Sequence, residues 1–228
     1  MRIPPTRGTR TRCGYTGTRG VLRKHLADCS EPLAHRPGRP GRVPADAPGL
    51  LIEVVGRPKA YWLFLGVAND AKLTDIDALL RATWLECCDH LSEFVVGRTR
   101  YTFVSSPTFS FGPRPQSMHI QVGKVFRPGV PIEHQYDFGS TTVLDLSLVG
   151  PLPIALPSRT AALLANNVAP DFACGECGHP AASVCVECDS PAFLCAVCSR
   201  RHGRGHMLHR VVNSPRMGIC GYDGPGAP

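Results

Sequence analysis

Between Cys174 and His209 the chain reads C-G-E-C, then C-V-E-C, then C-A-V-C, followed by His202, His206 and His209. Three C-x-x-C pairs and closely spaced histidines supply enough soft and borderline ligands for two tetrahedral zinc ions. The two-residue spacer lets both sulfurs of a pair face one ion, and Gly175 and Gly178 ease the turn around the first pair. Pairs this close together predict cross-bracing. Cys174, Cys177, Cys195 and Cys198 are expected on one ion, and Cys185, Cys188, His202 and His206 on the other. His209 is the alternative ligand for the second ion, because His206 and His209 are also close enough to share it. A fully ligated ion leaves no position for water, so both zincs are expected to be structural. A block of this size buries too little apolar surface to fold alone. Metal binding would supply most of its folding free energy, roughly 10 kcal/mol or more per ion.

A disulfide framework is the rival, and it needs an oxidising compartment and normally a secretory leader. The opening Met-Arg-Ile-Pro-Pro has no apolar core segment, and no apolar run reaches the roughly 18 residues of a membrane helix. The expectation is therefore a cytoplasmic zinc protein with no membrane partner. The ligand spacing resembles the B-box class of cross-braced zinc modules, which are interaction domains and not enzymes.

The formal net charge of +7 is unevenly placed. Residues 1–49 hold ten Lys or Arg against three Asp or Glu, whereas the remainder holds fifteen of each. This predicts a basic, mostly irregular Arg/Pro/Gly-rich arm, with its clearest linker from His35 to Arg42. Nucleic acid could be met through residues 1–49 by counterion release, although charge without a defined fold carries little specificity, and a protein partner is the leading reading. Within the arm, Cys13-Gly-Tyr-Thr-Gly and the His25/Cys29 pair suggest a degenerate finger over 13–29, with Thr16 standing where a second cysteine would be wanted. Cys220-Gly-Tyr-Asp-Gly repeats the first of these patterns, which makes Cys13, His25, Cys29 and Cys220 a third candidate metal site.

From Leu50 the composition becomes that of a folded domain. Leu50–Val55 and Ala60–Val67 read as central strands. Thr74 offers an N-cap with Asp77 three residues on, and Ile76, Leu79, Leu80, Thr83, Trp84 and Cys87 follow at helical spacing. Cys87 and Cys88 read as helix-end thiols. Shorter strands are expected at Glu93–Val96, Arg98–Val104, Met118–Val122, Glu133–Phe138 and Thr142–Val149. The fold class is thus α+β, a small mixed or antiparallel sheet with one main helix over 50–151. A linker with a short helix follows at 152–172, then the zinc module at 173–212 and a tail at 213–228.

Tyr61-Trp62, the block Asp89-His90-Leu91-Ser92-Glu93-Phe94 and Tyr136-Asp137-Phe138-Gly139 resemble the plasmid pRi open-reading-frame-three family, also labelled an insertion-sequence passenger protein with a resolvase name. Asn213-Ser214-Pro215-Arg216-Met217-Gly218, with Cys220-Gly221-Tyr222, resembles the extension of some members. Relatives commonly carry two basic residues after the tryptophan and a Trp-x-His after the Asp-Phe-Gly turn. Here Leu63-Phe64 and Thr141 to Asp145 stand instead. His90, His134, Tyr136 and Asp137 remain as a candidate binding surface. The simpler expectation is that Tyr136 and Asp137 fix a strand turn, with Gly139 taking positive φ and Phe138 in the core. The resolvase label implies a mobile-element enzyme or recombination accessory factor. However, serine recombination needs an activated serine among arginines, and the arm offers only Ser30. The leading expectation is a non-catalytic zinc-binding adaptor or scaffold.

Overall fold

In the computed structural model, which describes residues 6–11, 13–30, 47–103, 114–188, 192–203 and 205–226, the first elements are β1 (Arg7–Arg10), β2 (Thr16–Thr18) and α1 (Arg19–Asp28). Next come β3 (Ala47–Gly56), β4 (Trp62–Ala68) and α2 (Leu73–Leu80), the last running into a π-helical turn (Arg81–Leu85). After these lie β5 (Ser92–Val96), β6 (Thr99–Thr102), β7 (Gln116–Ser117), the single turn α3 (Val122–Val125), β8 (Ile132–Tyr136), β9 (Thr142–Leu156) and β10 (Ala161–Asn167). The C-terminal part carries β11 (Ser183–Cys185), β12 (Ala192–Leu194), a 3-10 turn (Cys198–Arg200) and β13 (Leu208–Arg210).

The first ten strands form one sheet in the order β2-β1-β10-β4-β3-β9-β8-β5-β6-β7. This corrects the expectation of a small sheet with one main helix. The apolar runs that predicted β3 and β4 do lie at its centre, because strands buried on both faces need no polar alternation. Register places Ile52, Val54, Leu63, Leu65, Leu144, Leu146 and His134 on one face, where Asp77 of α2 reaches His134 at 2.7 Å. Glu53 and Phe64 point to the opposite face, where Arg19 and Arg23 of α1 pair with Glu53 at 3.4 and 3.5 Å.

Four further expectations fail for physical reasons. Residues 6–30 are not an irregular arm. β1 pairs with both β2 and β10, Leu22 and Leu26 enter the core, and Arg10 is buried. The linker from His35 lies outside the described residues. The short helix expected in the 152–172 linker is instead β10, paired on both sides by β1 and β4, because tertiary pairing overrides the local helix preference of an Ala/Leu run. The boundary expected near Gly150-Pro151 falls inside β9. A register shift opposite Leu51/Ile52 accommodates the proline, as bulges do. Met118–Val122 is likewise not a strand: it turns after β7, forms a single bridge from Gln121 to Lys72 and enters α3 at Val122.

α2 is capped at Lys72, two residues ahead of the expected Thr74, with the Asp75 carboxylate accepting the Lys72 backbone N–H at 2.7 Å. Asp77 turns inward instead, accepting from Ser92 Oγ and His134 Nε2, both at 2.7 Å, and from Arg81 Nε at 2.8 Å. The π-helical turn, closed by Glu86 N–H to Arg81 C=O at 3.0 Å, brings the adjacent residues Trp84 and Leu85 both into the core. No described helix is long and apolar enough to cross a membrane.

Candidate metal centres

The small sheet β12-β11-β13 positions the C-terminal ligands. β11 ends on Cys185, β12 leads into Cys195, and the 3-10 turn starts at Cys198. Gly178 takes φ +74° behind the first pair, and its N–H returns to the Cys174 carbonyl at 2.9 Å. The stacked rings of Phe172 and Phe193, 4.2 Å apart, flank this end of the module.

Cys174, Cys177, Cys195 and Cys198 form one group and Cys185, Cys188, His202 and His206 another, each with its ligand atoms within 4.8 Å of one another. A tetrahedral ion with Zn–S near 2.3 Å and Zn–N near 2.0 Å sets sulfurs about 3.8 Å apart, and sulfur about 3.6 Å from nitrogen. Cys177 Sγ lies 3.6 Å from both Cys195 Sγ and Cys198 Sγ. Cys188 Sγ lies 3.7 Å from Cys185 Sγ, 3.3 Å from His202 Nε2 and 3.6 Å from His206 Nδ1. Cys185 Sγ is 3.5 Å from His206 Nδ1. A disulfide would need about 2.05 Å, and no two of the eleven cysteines, all among the described residues, are joined in one. His209, the alternative ligand, is in neither group. It is buried on β13 and its Nδ1 faces Asp223 Oδ1 at 3.7 Å.

Thiol energetics agree with this geometry. Backbone N–H donation, first from Cys195, draws Cys174 down to about 6, and N–H groups of Cys198 and Val197 lower Cys195. The Cys198 thiol is pushed up, first by its hydrogen bond with Cys177 and then by burial. Four sulfurs this close cannot all ionise without a cation among them.

Two further groups lie outside the module. Cys13, His25 and Cys29 come together, with Cys13 Sγ 3.3 Å from His25 Nε2, Tyr15 stacked on the His25 ring at 4.1 Å and Arg10 Nη1 donating to Cys29 Sγ. Cys220 does not join them, which corrects the proposed third set. It joins Cys87, Cys88 and His90 instead, with the four ligand atoms within 4.8 Å of one another. The two C-G-Y turns do share a use. Gly14 and Gly221 both take positive φ, and each turn delivers its cysteine to a different group. Among the described residues, every one of the eleven cysteines belongs to one of four groups that can hold a metal ion.

The candidate surface of His90, His134, Tyr136 and Asp137 is mostly interior. His134 and Tyr136 are fully buried and Asp137 nearly so. Tyr136 lies between the guanidinium groups of Arg81 and Arg216, 4.8 and 4.7 Å from its ring centre, and donates to Glu86 Oε1 at 3.1 Å. Asp137, not Gly139, takes the left-handed conformation, at φ +65°, and Phe138 is exposed. Arg216 donates to Asp137 Oδ2 at 2.7 Å. That bond is the main cause holding the Asp137 carboxyl down at about 2.

No family model and no curated protein matches the chain. Among solved structures it is similar to a protein of unknown function from Methanosarcina mazei Go1, at 13% identity and a TM-score of 0.44, over 56% of this chain and 71% of that one.

Proposed function

We propose that this chain is a non-catalytic zinc-binding interaction protein, an adaptor or scaffold in which a cross-braced, two-zinc module rigidifies a surface carried by the large sheet. The observation that supports it best is the closed geometry of the two C-terminal groups. Each supplies four ligands at tetrahedral spacing, leaving no position for a substrate or reactive water. Val197, beside the Cys195/Cys198 pair, and Met207, beside His206, are exposed apolar side chains on that module, which suits protein contact. Association with the mobile-element family rests on the motif blocks of the sequence and belongs to this reading.

The test is affinity capture by the zinc-loaded full chain, with and without nuclease, against the same chain carrying Cys185→Ser. The expected result is a protein partner that survives nuclease and is lost with the variant. Binding that disappears on nuclease treatment, and is unchanged by Cys185→Ser, would instead point to nucleic acid met through residues 1–49.

A further inference from the structure

The run Asn213 to Arg216 is docked on the main domain by four unlike contacts. Asn213 exchanges hydrogen bonds with Asn167 at the end of β10, both at 2.8 Å. Ser214 Oγ donates to the Trp84 carbonyl of the π-helical turn at 2.7 Å. Pro215 covers Gly56, where an added Cβ would stand 3.0 Å from the proline Cβ. Arg216, fully buried, donates to Asp137, to the Ser140 carbonyl at 3.2 Å, to Thr142 Oγ1 at 3.1 Å and to Cys87 Sγ at 3.4 Å. The chain then turns through Gly218 at φ +74° and presents Cys220 at φ +49°.

We propose that Cys87, Cys88, His90 and Cys220 bind one zinc ion, which clasps the C-terminal segment to the end of the π-helical turn. The four ligand atoms lie within 4.8 Å of one another, and Cys220 Sγ is 3.3 Å from His90 Nε2. The set combines three thiolates and one imidazole, a composition that suits structural zinc. The ligands come from two segments far apart in sequence, and apart from the Arg216–Cys87 bond the contacts that dock the tail do not involve the sulfurs, so the convergence is not a by-product of one local turn.

The surroundings are those of a ligated ion. Asp137 Oδ1 stands 3.7 Å from the other imidazole nitrogen, His90 Nδ1, longer than a hydrogen bond but on the side of the ring from which a carboxylate orients a metal-binding histidine. The Arg216 guanidinium points at Cys87 Sγ, a weak acceptor as a thiol and a strong one as a thiolate. Three thiolates on a divalent ion leave one negative charge, which this cation faces. Asp89 takes φ +56° and Cys220 φ +49°. For residues other than glycine that conformation is unfavourable, less so for Asp than for Cys, and metal bonds from the turn-end histidine and from Cys220 can offset it. Cys88 and Cys220 are exposed, so the ion can enter from solvent.

The experiment counts zinc per chain in full-length protein purified under reducing conditions without chelator, with hydrogen exchange followed over residues 213–222. Cys220→Ser and, separately, Cys88→Ser are each expected to remove one ion per chain and to speed exchange across the tail, while Cys220→His keeps the wild-type count. Counts equal to wild type in both serine variants overturn the proposal. So does a Cys87–Cys88 bond, or a bond from either to Cys220, in non-reduced peptides of the purified chain. Loss of zinc in Cys185→Ser but in neither Cys220→Ser nor Cys88→Ser leaves the C-terminal module intact and removes this site alone.

Discussion

Among the described Arg, Lys, Asp and Glu residues, Arg216 is the least exposed. Its guanidinium is fully buried, it pairs with Asp137, and it covers one face of Tyr136. Removing one partner of a buried pair strands the other charge. Arg216→Met is therefore expected to cost roughly 3 to 5 kcal/mol, read as a lower urea midpoint. Asp137 gives the same contact a pH signature. Its folded carboxyl sits at about 2, below the ordinary value near 4. The pairing thus contributes fully above pH ~4 and is lost as pH falls toward ~2. The stability gap between wild type and Asp137→Asn should narrow over that window in denaturant titrations, and a gap constant from pH 6 to pH 2 would contradict the pairing. None of this was legible in the sequence, because Asp137 and Arg216 are far apart along the chain and only the fold brings them together.

At the scale of elements, the instructive cases are β10 and the N-terminal β1-β2-α1 unit. Ala-Ala-Leu-Leu-Ala satisfies a helix on local preference, and the decisive information, pairing to β1 and β4, is non-local. Leu164→Ala is expected to cost roughly 2 to 5 kcal/mol as a core truncation, whereas a surface linker would tolerate it. Composition misleads for the N-terminal unit, since its arginines look like solvated charge. Glu53 was the available clue. It is the one carboxylate in a central apolar run, it is buried, and a buried charge needs a cation, here Arg19 and Arg23. Gly8 is equally committed, as a side chain there would meet the Asn166 carbonyl and the Trp62 ring. A chain starting at residue 47 should therefore leave β10 with an open edge and aggregate or lose stability. If it were as soluble and as stable as the full chain, the integration of residues 6–30 would be refuted.

Across the whole molecule, the ligands that could be read from sequence are those clustered in it. C-x-x-C pairs and neighbouring histidines carry their own spacing rule, so both C-terminal groups were legible apart from the place of His209, which spacing left open and the structure keeps outside both groups. Cys87, Cys88, His90 and Cys220 were not, because no spacing rule links ligands brought together from the end of the π-helical turn and the far tail. Stripping metal with a strong chelator is expected to raise hydrogen exchange first across 173–212, where the small sheet has little apolar core of its own, and only later in β3 and β4. The most direct measurement of the central claim is the zinc content of the full chain by native mass spectrometry, compared with a chain carrying both Cys174→Ser and Cys185→Ser. The account predicts that the double variant holds two fewer zinc ions per chain. Equal zinc content in the two proteins, or a wild-type chain free of zinc with its module sulfurs joined in disulfides, would contradict it.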